Sequence, residues 1–158
     1  MTQQDFIDRF EYQSGKLFYK KREGCMKKGS EVGTKNADGY IKTLINRKPY
    51  LAHRIIFMMH YGYLPKYLDH IDGNPGNNKI ENLRPATYSQ NNLNRGKQKR
   101  NTSGFKGVTW VKTENRYSAR IAINGKRLFL GYFDDPKKAH EAYCEAAKEY
   151  EPNFVRTQ

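Results

Sequence analysis

The chain has 158 residues, room for one large domain or two small ones. Apolar residues make up 37%, aromatics 13% and charged residues 28%, which is too aromatic for a disordered chain and too polar for one built to live in a bilayer. Lys plus Arg is 29 against 16 Asp plus Glu, a net charge of +13, and an excess of that size points to a polyanionic partner. The longest apolar run, Ile55 to Met59, is too short to span a membrane, so no membrane partner is expected. The opening MTQQDFIDRF has no basic segment followed by an apolar one, so a secretory leader is not expected and a cytoplasmic setting is. Cys25 and Cys144 stand apart from each other, which disfavours a disulfide framework, and no structural zinc is expected.

Residues 1 to 52 read as short strands and turns, with Ser14-Gly15 and Asp38-Gly39 turning the chain ahead of Lys16–Tyr19 and Tyr40–Ile45. Residues 53 to 61, HRIIFMMHY, read as a short buried helix stopped by Gly62 and Pro65. Residues 66 to 85 are poor in apolar side chains and rich in Asp, Asn and Gly, and a helix is expected after Thr87. Residues 95 to 103, RGKQKRNTS, hold no apolar side chain and read as a linker. Beyond it, 105–111, 117–123 and 127–133 are strand-like, with Asn124-Gly125 as a hairpin turn. Asp134-Asp135-Pro136 opens a final helix whose alanines suit close packing on a sheet. His140 on that helix is expected to face solvent.

The chemistry concentrates between residues 69 and 91. Asp69-His70 ends an apolar strand, Asn82 precedes Leu83 in a loop, and Asn91 lies on the expected helix. One carboxylate and one amide oxygen form a sparse set of hard ligands that Mg²⁺ accepts, completing its shell with water and phosphate. A histidine beside such a ligand, titrating near neutrality, suits proton removal from an attacking water.

The segments AHRIIFMMHYGYLP and LDHIDGNPGNNKIENLRPATYSQNNLNR resemble the HNH endonuclease family, particularly the phage and intron-encoded homing type, over roughly residues 10 to 95. The resemblance implies a ββα-metal fold and a Mg²⁺ or Mn²⁺ cofactor. It makes His70 the general base and Asp69 and Asn91 the metal ligands, with Asn92 and Asn94 as competing neighbours of Asn91. Asn82 becomes the middle Asn of the signature, bracing the loop and the base. Many relatives carry zinc-binding cysteines; this chain does not, which fits the zinc-free branch. The family often has a His-Arg pair where His53-Arg54 stands, implying a supporting or phosphate-contacting role for Arg54. For His53, that role competes with an ordinary core histidine.

The C-terminal part has its own pattern. Alternation in 117–123 puts Tyr117, Ala119, Ile121 and Ile123 on one face and Arg120 on the other; Arg127 and Phe129 then point outward. A basic, aromatic sheet face of this kind can present Arg to base edges in the major groove. The segment is similar to the plant ethylene-response-factor (Apetala-two type) DNA-binding domain. The matching elements are Phe105-Lys106-Gly107-Val108, Trp110, Arg120, Lys126-Arg127, Leu130-Gly131-Tyr132-Phe133 and the Ala-rich helix from Ala139. The resemblance implies DNA contacts by Lys106, Arg120, Arg127 and Phe129. Trp110 is either a contact or a core residue. Thr109 and Ala122 stand where the plant domain usually has arginines, so the preferred sequence should differ.

The resulting expectation is an α+β chain: an HNH nuclease domain over 1–95, a basic linker over 96–103, and a three-stranded antiparallel sheet packed on one helix over 104–158. Arg95, Lys97, Lys99 and Arg100 would follow the DNA backbone. The function read is a metal-dependent endonuclease acting on double-stranded DNA as a monomer, a phage homing or nicking enzyme working in an infected or bacterial host cell. The alternative is a non-catalytic DNA-binding regulator on a relic HNH fold.

Overall fold

Thr2 and Asp5 begin the chain as a helix, where strands and turns were expected. The Thr2 side chain accepts the Asp5 N–H and the Asp5 carboxylate accepts the Thr2 N–H, a reciprocal cap that starts α1 (Gln3–Arg9) and buries Phe6. This is a computed structural model, and it describes residues 1–97 and 100–154. The contacts divide the chain into two units, Met1–Pro85 and Ala86–Gln158.

In the first unit β1 (Phe10–Gln13) and β2 (Lys16–Tyr19) pair antiparallel through Ser14-Gly15. Gly15 is required there: its φ is +90°, and a Cβ would stand 2.8 Å from the Lys79 backbone nitrogen. A second antiparallel sheet runs in the order β3 (Thr34–Lys35), β4 (Ile41–Ile45), β5 (Lys48–Leu51). It feeds straight into α2 (Ala52–Tyr61), the helix expected over 53–61, which Gly62 ends in the left-handed conformation. Ile55, Ile56 and Phe57 of α2 are buried with Phe10, Leu17 and Val32 in this unit's core. β6 (Tyr67–His70) follows, then a 3-10 turn over Ile80–Asn82 and β7 (Leu83–Ala86), which pairs with β6.

The second unit starts with α3 (Tyr88–Asn94), capped by Thr87 as expected, with Gln90 returning the bond to the Thr87 N–H. β8 (Val108–Val111), β9 (Arg116–Ile123) and β10 (Lys126–Phe133) form an antiparallel sheet in the order β10-β9-β8. Asn124 and Gly125 both take positive φ at the β9–β10 turn. α4 (Pro136–Tyr150) is capped by Asp135 with Pro136 in its first turn. Its buried Ala139 and Ala147 let the helix lie close on β9. Gly107 is where the two layers touch: a Cβ there would lie 2.1 Å from the Tyr143 ring. Leu93 of α3 is buried with Ile121, Ile123 and Tyr143. That contact is why the division of the chain falls before α3, ahead of the linker expected over 96–103. The fold is thus mixed α and β with small antiparallel sheets. Among the described residues, no helix is long and apolar enough to cross a membrane.

Candidate functional site

β6 carries Leu68, Asp69 and His70 into the interior at its C-terminal end, all three buried. The His70 Nε2 lies 3.0 Å from the Asn78 Oδ1. An amide oxygen only accepts, so Nε2 carries the hydrogen, and in the neutral ring the lone pair sits on Nδ1. Asn78 is itself buried, in the Asn-Gly-rich loop after β6. The Asp69 Oδ2 accepts from the Arg84 Nε at 2.9 Å, a largely enclosed ion pair.

The loop between His70 and Asn78 is built on Asp72. Its carboxylate accepts the Asn74 N–H at 2.8 Å, the Asn77 Nδ2 at 2.7 Å and the Asn82 Nδ2 at 2.9 Å. Burial alone would push this carboxyl up, but the bonds from Asn77, Asn74 and Asn82 outweigh it and hold it below the usual range. Asn82 also donates to the Asn77 carbonyl and accepts the Asp72 N–H. Asn82 therefore ties the loop, and Asn78 is the side chain that meets His70.

His53, at the start of α2, is 4% exposed. Its ring centroid lies 4.9 Å from that of His70 in an edge-on arrangement, and the Tyr40 ring lies against both. The His53 Nδ1 is buried with no hydrogen-bond partner among the described residues, unlike a satisfied core histidine. Burial first, then the neighbouring His70 and Arg54, push its pKa down to about 3, so the ring is neutral. Arg54 turns elsewhere: its guanidinium donates to the Pro65 carbonyl at 3.3 Å and edges an apolar cavity of about 410 Å³ lined by Phe6, Tyr50 and Met58 among others.

Asn91 is half-buried on α3, in the second unit. As a candidate metal site, the first unit offers one buried carboxylate, Asp69. Among the described residues no three His, Cys, Asp or Glu groups come together as a cage. A hard cation that keeps most of its water fits that donor set, and a closed zinc site does not.

In the second unit, register decides which side chains share the open face. Arg127 pairs with Ala122, Phe129 with Arg120, and Tyr132 with Ser118. The Arg120 guanidinium lies 5.8 Å from the Phe129 ring centroid, and Phe129 and Tyr132 meet at 4.9 Å. Trp110 pairs with Tyr117, which alternates with Ala119 and Ile121, so it falls on the opposite face from Arg120. The Lys106 ammonium donates to the carbonyls of Asn92 and Arg95 at the C-terminal end of α3. The negative end of the helix dipole attracts it there. Arg95 and Arg100 are exposed, Lys97 donates to the Gly104 carbonyl at 3.1 Å, and Lys99 lies outside the described residues. His140 does not face solvent: its Nδ1 is 3.0 Å from the Lys106 carbonyl and its ring stacks on Tyr143.

Sequence reasoning missed Asn78, Tyr40 and Arg84 as site residues. Asn78 lay among loop asparagines with no spacing to single it out, and Tyr40 comes from a separate sheet. Arg84, two residues after Asn82, was the nearest to a visible signal.

Residues 50–93, which hold α2, β6, β7 and nearly all of α3, match the family model described as HNH endonuclease. The segment that carries Asp69 and His70 is therefore similar to an HNH endonuclease domain. Among individual relatives, Protein 3.8 of Escherichia phage T7 is 43% identical over 68 residues, covering 42% of this chain and 56% of that protein. An uncharacterized HNH endonuclease of Acanthamoeba polyphaga mimivirus is 42% identical over 106 residues, covering 65% of this chain and 54% of that protein. The chain thus spans about half the length of the curated relatives it matches. No solved structure matches it.

Proposed function

We propose that the chain is a metal-dependent DNA endonuclease that hydrolyses one phosphodiester bond at a time, with His70 as general base. The observation that carries the reading is a buried His70, its Nε2 held by Asn78, directly beside Asp69 in the HNH-matching segment. Water attacks phosphorus and gives its proton to the His70 Nδ1. The bond from phosphorus to the 3′ oxygen breaks, and the departing oxygen takes a proton from solvent water, leaving a 5′-phosphate and a 3′-hydroxyl. Asn78 keeps the required tautomer, and Asn82 acts one step back by holding the Asp72 loop. Asp69 and Asn91 are the proposed ligands of Mg²⁺ or Mn²⁺, and a ββα-metal fold is proposed with them from the HNH resemblance. When bound, the cation supplies charge stabilisation at the scissile phosphate and its leaving oxygen.

The second unit is proposed as an Apetala-two-type reader of double-stranded DNA, through Arg120, Arg127 and Phe129 on its open face. Arg95, Lys97, Lys99 and Arg100 would add salt-dependent backbone contacts. The proposed enzyme is a homing or nicking one acting as a monomer in an infected host cell, a setting consistent with relatives from a phage and a virus. Supercoiled plasmid incubated with and without Mg²⁺ tests the reading: metal-dependent conversion to open circle by the natural chain, absent in His70→Ala, is expected. DNA binding without nicking in either protein would leave the DNA-binding regulator.

A further inference from the structure

The last residue of α2 and the segment between it and β6 expose large aromatic and apolar side chains together. Tyr61 is 54% and Tyr63 52% exposed, and Leu64 is exposed beside them. Neither ring hangs loose. Tyr61 lies 4.5 Å from the buried Phe57 ring, Tyr63 meets the same ring edge-on at 5.5 Å, and the two tyrosines are 6.4 Å apart. The backbone below is pinned as well: the Gly62 N–H donates to the Met58 carbonyl, Gln3 donates to the Met59 carbonyl, and Arg54 holds the Pro65 carbonyl. The exposed Lys66 follows, its ammonium 5.5 Å from the Tyr67 ring centroid.

We propose that Tyr61 and Tyr63 form a stacking platform for unpaired bases of a DNA strand, with Lys66 meeting its phosphates. Rigid, half-open rings beside a cation are what sequence-tolerant binding of single strands requires, since every base has a stackable face. The charge of the chain selects a nucleic-acid occupant over a neutral or basic protein surface. Position selects DNA at the cleavage site: Tyr67 begins the strand that ends at Asp69 and His70. At roughly 3.3 Å per residue, Tyr63 stands within about 25 Å of His70 along the chain, a span of a few nucleotides. Aromatic faces lie buried between stacked pairs in intact duplex, so the platform gains only where the strand is open. This deepens the endonuclease reading and rests on it for the choice of DNA.

The test uses the full chain in EDTA, so that binding is read without cleavage. The probes are a single-stranded 12-mer carrying 2-aminopurine and the same oligomer as a duplex. The natural chain is expected to quench the single-strand probe. Tyr61→Ala with Tyr63→Ala should weaken single-strand binding by about 10- to 100-fold and remove the quench. Tyr61→Phe with Tyr63→Phe should behave as the natural chain, because the rings remain. Duplex affinity should stay within about threefold in both, on the reasoning that duplex contacts lie elsewhere. Unchanged single-strand binding in the alanine pair overturns the proposal, as does equal loss on both probes. So does a change confined to sedimentation, which would make the patch a contact between copies. Plasmid nicking with Mg²⁺ is scored separately, so a chain that stacks single strands but never nicks would refute the nuclease reading and leave the platform standing.

Discussion

The Asn78 side-chain oxygen lies 3.0 Å from the His70 Nε2, and both residues are buried. A loop asparagine therefore decides which imidazole nitrogen can act as a base. Asn78→Ala should lower nicking by about 10- to 100-fold, the usual loss when a group orienting a reactive histidine is removed. His70→Ala should cost about 10²- to 10⁴-fold. Single-turnover plasmid nicking at saturating protein, with duplex binding measured alongside, checks both; unchanged rates for Asn78→Ala would take it out of the site.

Asp69→Asn should raise the Mg²⁺ concentration needed for half-maximal nicking. It should also loosen Arg84, whose guanidinium loses its charged partner. EDTA should abolish nicking without changing the melting temperature, because the first unit's single buried carboxylate is not a structural metal cage. Nicking titrated against Mg²⁺, with melting curves in EDTA, reads both effects.

His53 sets an acid limit on stability. Its folded pKa is lowered from 6.5 to about 3, so between those values the unfolded chain binds a proton that the folded chain refuses. This contribution to stability is complete above pH 6.5 and is lost as pH falls toward 3, at no more than about 1.4 kcal/mol per pH unit. His53→Phe should flatten that slope between pH 6 and 4. It should also raise stability at pH 7 by about 1 kcal/mol, since a buried nitrogen without a partner is removed. Urea unfolding at pH 4, 5, 6 and 7 compares the two chains; an equal slope in both would place the acid sensitivity elsewhere.

Gly107→Ala should unfold much of the second unit while sparing the first. The new methyl would meet the Tyr143 ring at 2.1 Å, and φ at this position is +76°, so both packing and backbone oppose it. Hydrogen exchange resolved by segment should show protection lost in β8 to α4 and kept in α2.

Arg127→Ala should cost about 1–3 kcal/mol on a preferred DNA site if the guanidinium reads a base edge. A phosphate contact would instead weaken all sequences alike and reduce the salt dependence of binding. Binding of selected and random duplexes at two salt concentrations distinguishes the cases. Arg120→Ala should follow Arg127, with which it shares the open face, whereas Trp110→Ala, on the other face, should not.

Local signals were enough for most elements of this protein. Thr87 with Gln90, Asn124-Gly125, Asp135-Pro136 and the apolar run ended by Gly62 each satisfy their own backbone within a few residues. The Asp69-His70 pair and the alternation of Arg120, Arg127 and Phe129 were visible for the same reason, since strand periodicity is local. The cap between Thr2 and Asp5 is equally local, but α1 is only seven residues long, and Phe6, Ile7 and Phe10 are too few for a helical period to stand out before the strand that follows. What required the tertiary structure were meetings between distant segments. Tyr40 and His53 converge on His70 from β4's leading edge and from α2, and Leu93 joins α3 to β9 and α4. The roles of Asn78, Lys106 and Trp110 followed only from their partners. A side chain's type states which bonds it can make, whereas the packing of elements far apart in the chain decides which it does make.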